Sequence, residues 1–184
     1  MAETYVNTEN ATFEKVWFMF QETDKKFQET DKKFQETDKK LNKLEKLFTS
    51  QWGKLIESLV EGDLVKILRE RGIKVNNTAT RIKVYYSNRQ YEFAIIAENG
   101  AEIVVVEVKT TLRPDDVKEF LDELNDFKNV LPRYQQNRVL GAVAYLTDDS
   151  EAALMSQKKG LFAIRATGNS SSIINNNDFE PKVW

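Results

Sequence analysis

Over the first fifty residues the apolar positions recur every seven. FQETDKK stands unchanged at 20–26, 27–33 and 34–40, which is one heptad repeated. With phenylalanine at position a, Phe13, Phe20, Phe27, Phe34, Leu41 and Phe48 form one row, and Val16, Thr23, Thr30, Thr37 and Leu44 form the d row. Phenylalanine at d would instead leave Asp as its seam partner. Glu22 with Lys26, Glu29 with Lys33 and Glu36 with Lys40 are i,i+4 pairs in the favourable order, each contributing ~0.3 kcal/mol to the helix. Asp at e and Lys at g set Lys26 against Asp31, and Lys33 against Asp38, of a parallel partner, whereas an antiparallel partner would face like charges. The pattern predicts a parallel homo-oligomer. A single charged helix is the alternative, since Thr at d weakens the seam. Fully helical, residues 12–50 would extend ~60 Å as a spacer or assembly arm.

From Trp52 the helical period continues without the polar repeat. Leu55, Leu59, Leu64, Val65 and Leu68 line an amphipathic helix, with Arg69 and Arg71 in its last turn and Gly72 as its stop. Strand-like runs follow at about 81–86, 91–98 and 102–110, joined by SNRQ and by ENGA. Pro114, with Asp115 and Asp116 behind it, opens a second helix. That helix buries Val117, Phe120, Leu121, Leu124 and Phe127 and closes before Pro132. A strand RVLGAVAYLT, a short helix over about 150–159 and a strand LFAIRAT complete the order αβββαβ, then αβ. The predicted architecture is an α/β domain over 52–184 behind a heptad-repeat, coiled-coil arm over 1–51. The Asn-rich tail TGNSSSIINNNDF carries no assigned chemistry.

Composition narrows the chemistry. The 184 residues include no histidine and no cysteine, which excludes Ser-His-Asp triads, thiol nucleophiles, zinc fingers and disulfide frameworks. Catalysis would rest on carboxylates, lysine, hydroxyls or an oxygen-bound cation. A net charge of -2 gives no overall basic excess for phosphate binding, although a local basic face is compatible with it. No apolar run approaches the length of a membrane span. The expectation is a soluble, cytoplasmic protein.

One run stands out. In IVVVEVK, alternation places Val105, Glu107 and Lys109 on one side of a strand whose continuous apolar character predicts a central position. Opposite charges there are costly unless they pair or bind something. A carboxylate beside a lysine at a strand end suits metal-assisted phosphodiester hydrolysis, with oxygen ligands holding Mg²⁺ and the lysine orienting water. E-x-K spacing is also common by chance, and from spacing alone an ordinary Glu–Lys pair at the solvent-reaching end of a strand is the favoured account. On the first hairpin, Arg81, Lys83, Tyr85, Tyr86, Arg89 and Tyr91 could follow a phosphate backbone and stack on bases, or form a solvated hairpin face. Lys158, Lys159 and Arg165 add positive charge near the last strand.

Taken with the element order, the EVK of 107–109, the helix glutamates, the RERGIKV turn and the AENG turn, residues 52–167 resemble the PD-(D/E)XK nuclease superfamily. Within it they resemble archaeal-type Holliday junction resolvases and uncharacterised prokaryotic proteins with heptad-rich N-terminal helices. The resemblance implies a restriction-endonuclease-like αβββαβ core and a DNA endonuclease activity dependent on Mg²⁺ or Mn²⁺. It implies a metal site made by a first-helix glutamate, a second-strand aspartate and the E-x-K. Glu107 and Lys109 supply the last of these, and Thr110 follows as a hydroxyl often does in such relatives. Glu61 matches the helix glutamate, and Glu57, one turn earlier, could serve instead. Lys83, Arg89 and Thr110 are the expected DNA contacts. Ala94 departs from the pattern, because it stands where similar sequences carry the bridging aspartate. Deliberate disabling, natural loss of activity, or takeover by Glu92 would each account for it. The last is disfavoured, since two residues along a strand displace a carboxylate by ~7 Å. The sequence therefore predicts either a disabled endonuclease or a non-catalytic DNA-binding or scaffold protein assembled through its coiled coil.

Overall fold

The computed structural model describes residues 13–167 and 169–184. The side chains of Phe13, Val16 and Phe48, members of the expected seam, lie outside the described residues. Two compact units divide the chain, Met1–Phe48 and Thr49–Trp184. Helix α1 covers Phe13–Glu70, so the heptads and the first amphipathic helix belong to one element. In the first unit, Glu22 and Lys26 pair at 2.9 Å, and the hydroxyls of Thr23, Thr30 and Thr37 donate to the carbonyls of Met19, Lys26 and Lys33 at 2.7–2.8 Å.

In the second unit the strands are β1 (Asn77–Tyr86), β2 (Arg89–Glu98), β3 (Glu102–Leu112), β4 (Arg138–Asp148), β5 (Phe162–Ala166) and β6 (Ser171–Ile173). Helix α2 is Pro114–Val130, α3 is Ala152–Lys158, and a 3₁₀ turn covers Pro132–Tyr134. All six strands join one mixed sheet in sequence order. β1, β2 and β3 pair antiparallel, β3, β4 and β5 pair parallel, and β6 returns antiparallel on β5. The parallel pairs need crossovers, which α2 and α3 provide. The order helix, three strands, helix, strand, helix, strand follows the periodicity of the sequence. β6 adds a strand in the tail, where the polar composition gave no strand signal.

Local chemistry sets the boundaries. α1 ends where Gly72 takes φ +81, with Ile73 N–H donating to the Leu68 carbonyl and Gly72 N–H to that of Arg69, an αL stop that glycine adopts without steric cost. β1 and β2 meet in a two-residue turn at Ser87 (φ 48) and Asn88 (φ 61), whose left-handed backbone matches the twist of the flanking strands. Between β2 and β3 the Asn99 side-chain oxygen accepts from the amides of Ala101 and Glu102. Before α2, the backbone N–H of Arg113 donates to Asp116 at 2.8 Å.

The sheet carries two cores. Ile56, Val60, Leu64, Ile67 and Leu68 of α1 cover Ile95, Ala97, Val104, Val106, Leu140, Ala142 and Ala144. On the opposite face Val117, Phe120, Leu124 and Phe127 of α2 and Ala152 and Ala153 of α3 cover Phe93, Ile96, Ile103, Val105, Val139 and Val143. β3 is therefore covered on both sides, as its unbroken apolar run predicts.

Candidate functional site

Because side chains alternate along a strand, Glu107 and Lys109 lie on the face opposite Val106 and Val108, which pack with the α1 core. They share the α2 face. Lys109 Nζ lies 3.1 Å from a Glu107 carboxylate oxygen and 3.4 Å from Asp116 of α2. Burial pushes the Glu107 carboxyl up to about 7, against the pull of Lys109. Burial pulls the Lys109 ammonium down, but Glu107 and then Asp116 outweigh it and leave its pKa above the ordinary value. Glu123, one heptad along α2 from Asp116, is also raised by burial, and pairs with Arg89 at 3.6 Å. The cluster thus sets Lys109 and Arg89 among carboxylates, of which Glu107 is raised towards neutral pH by burial.

The β2–β3 register runs Glu98↔Ile103, Ala97↔Val104, Ile96↔Val105, Ile95↔Val106 and then stops. Beyond that pair Ala94 and Glu107 part: Ala94 packs with the α1 core, whereas Glu107 lies on the α2 face with Lys109 and Asp116. On its other edge β2 pairs through Thr80↔Ile95 and Ile82↔Phe93, skipping the Arg81–Ala94 level. Arg81 there has φ +52, a left-handed conformation rare for a side-chain-bearing residue. Ala94 therefore has no register partner on either neighbour, and it packs with the α1 core.

The two expected helix glutamates are engaged elsewhere. Glu57 accepts from Arg81, with guanidinium nitrogens at 2.8 and 2.7 Å. Glu61 accepts from the Thr78 hydroxyl at 3.0 Å. Among the described residues, no group of three or more carboxylates comes together in a way that could hold a metal ion. The donors in place consequently do not fit the implied Mg²⁺ or Mn²⁺ site: Ala94 offers no oxygen, Glu57 is bound by Arg81, and Glu107 is paired with Lys109.

Of the expected DNA contacts, Lys83 pairs with Glu92 at 3.2 Å. Arg89 is held by Glu123 and stacks over Tyr91, 4.8 Å from the ring centre. Tyr91 is buried and donates to Asp126, while Tyr85 and Tyr86 are exposed. The Thr110 carbonyl accepts from the Thr147 hydroxyl at 3.2 Å. Asp116 and Glu123 had no assigned role at the site. A signal for them was present: they are seven residues apart beside the apolar stripe of α2, and Asp116 lies in the first turn after the strand bearing E-x-K, where a returning helix begins.

No protein-family model matches the chain, and no curated protein matches it. Among solved structures, a repair endonuclease from Pyrococcus abyssi is similar at a TM-score of 0.35 and 18% identity, over 58% of this chain and 45% of that one. A protein of unknown function, AF1548, is similar at a TM-score of 0.35 and 20% identity, over 54% of this chain and 53% of that one. The chain thus spans about half the length of these structures, and likeness at this level carries no argument about activity. No described helix is long and apolar enough to cross a membrane.

Proposed function

We propose that the Thr49–Trp184 unit is a PD-(D/E)XK-type domain related to metal-dependent DNA endonucleases, and that in this sequence its metal site is disabled at Ala94. The observation that supports the reading best is the Glu107–Lys109 ion pair on β3, at the two positions where that superfamily sets its E-x-K. The order of the elements from α1 to β4 agrees with it. Lys109 would orient the attacked phosphate or its water, and Lys83, Arg89 and Thr110 would contact DNA. Since the donors present do not fit a divalent cation, the reading assigns this chain no cleavage step.

The test is cleavage of duplex, single-stranded and branched DNA with Mg²⁺ or Mn²⁺ by this chain and by its Ala94→Asp variant. Activity confined to the variant supports the nuclease reading. Silence from both, with folding verified, removes it.

A second reading has its own support. Arg81 occupies Glu57, and Lys109 is shared by Glu107 and Asp116, so the charged groups near Ala94 and Glu107 already have partners within the protein. A non-catalytic DNA-binding or scaffold domain would keep these pairs as structure. Under this reading DNA binding, or assembly through the heptads, persists without Mg²⁺ and Ala94→Asp adds no cleavage.

A further inference from the structure

The heptad segment of α1 exposes a row of large apolar side chains that a lone helix in water has no reason to keep. Phe20, Phe27, Phe34 and Leu41 are 66, 66, 65 and 62% exposed, with Leu44 beside them equally bare. Rows of this kind mark surfaces that associate. The d positions between the phenylalanines carry threonine, whose hydroxyl would ordinarily be costly to bury in a seam. Here the hydroxyls of Thr23, Thr30 and Thr37 are each satisfied within the helix by the carbonyl four residues earlier. Their bonding needs therefore ask nothing of a partner, and each side chain can present its methyl group. In a parallel, in-register pair the seam becomes alternating layers of paired rings and paired methyl groups.

Charge selects the occupant and its direction. Flanking the row, Lys26 and Lys33 stand at g and Asp31 and Asp38 at e. A second identical helix laid parallel and in register sets each lysine against an aspartate, while an antiparallel copy sets Lys against Lys and Asp against Asp. Lys26 already touches Glu22 at 2.9 Å, but both are exposed, and such a pair is weak enough to be shared. Register is narrowed by the ends of the repeat. A slip of seven residues keeps Phe on Phe within the three identical heptads, but it sets Phe34 on Leu41, Thr37 on Leu44 and Leu44 on Gln51.

We propose that the Phe20–Leu44 seam of α1 docks on the same seam of a second copy of this chain, parallel and in register. The proposal does not depend on whether the Thr49–Trp184 unit cleaves DNA, which the Ala94→Asp comparison tests separately.

The absence of cysteine from the sequence makes cross-linking clean. In the full chain, Thr23→Cys and Thr37→Cys would be prepared singly, oxidised alone and as a mixture, and compared with wild type and Phe27→Asp/Phe34→Asp by light scattering. The expected result is a wild-type mass at least double that of one chain, homotypic cross-links at both 23 and 37, and no 23-to-37 product. The double Asp variant should fall to the mass of one chain with an unchanged near-ultraviolet spectrum. A monomeric wild type at ~100 μM overturns the proposal, as does cross-linking only between 23 and 37, which is the antiparallel outcome.

Discussion

At the scale of single residues, the Glu107–Lys109 pair sets the properties of the candidate site. The Glu107 carboxyl titrates near 7 instead of 4.5 because burial disfavours its charged form. A folded-state acid whose pKa is raised holds its full stabilising share below the unfolded value and loses it as pH rises through the folded value. Relative to a Glu107→Gln variant, wild type should therefore lose stability between about pH 4.5 and 7, by at most ~3 kcal/mol, in urea titrations at a series of pH values. A constant difference across that window would show that the carboxyl is not perturbed. Lys109 pulls the same carboxyl down, so Lys109→Met should move the Glu107 midpoint above about 7, read from its carboxyl carbon resonance. The E-x-K was legible in sequence because a charged pair interrupts an apolar run. The burial that perturbs it was not, since it comes from α2, which closes over that face of the sheet.

At the scale of elements, most boundaries were legible because they rest on neighbours in sequence. Gly72, the Ser87–Asn88 turn, Asn99 and the Pro114 start each act within a few residues. β6 was not legible. Ser171 gains its place from β5 and from Asp63, whose carboxylate accepts both its amide and its hydroxyl, 108 residues earlier in the chain. Packing between elements also meets a strict steric limit in β4. A Cβ at Gly141 would lie 2.5 Å from terminal carbons of Leu124 on α2 and Leu161, both fully buried. Gly141→Val should thus force α2 away from the sheet and cost about 1–3 kcal/mol, measured as a lower urea midpoint. An unchanged midpoint would mean that the two leucines rearrange freely.

At the scale of the whole molecule, the last stretch of the chain is fastened at the end of α1 by Asp63, which holds Ser171, and by Arg71 just beyond the helix. The Arg71 guanidinium donates to the carbonyls of Ile173, Asn175 and Asn176, and the buried Asn175 side chain bridges the Ala163 amide and the Leu161 carbonyl. Arg71→Ala should lower stability by ~2 kcal/mol, the scale of hydrogen bonds to a charged donor, and open the segment after 170 to limited proteolysis. Resistance equal to wild type would assign the fastening to Asn175 and Asp63. The sequence by itself determined the heptads, the order of the helices and of β1 to β5, the turn chemistry and the E-x-K. Each of these is a pattern of spacing or a local bond, complete within a few residues. Only the tertiary structure decided that α1 and α2 cover opposite faces, that Glu107 and Lys109 share theirs with Asp116 and Glu123, and that Glu57 is held by Arg81. Those outcomes depend on which face each crossing helix takes and on ion pairs between residues far apart in the chain, and no periodicity encodes either.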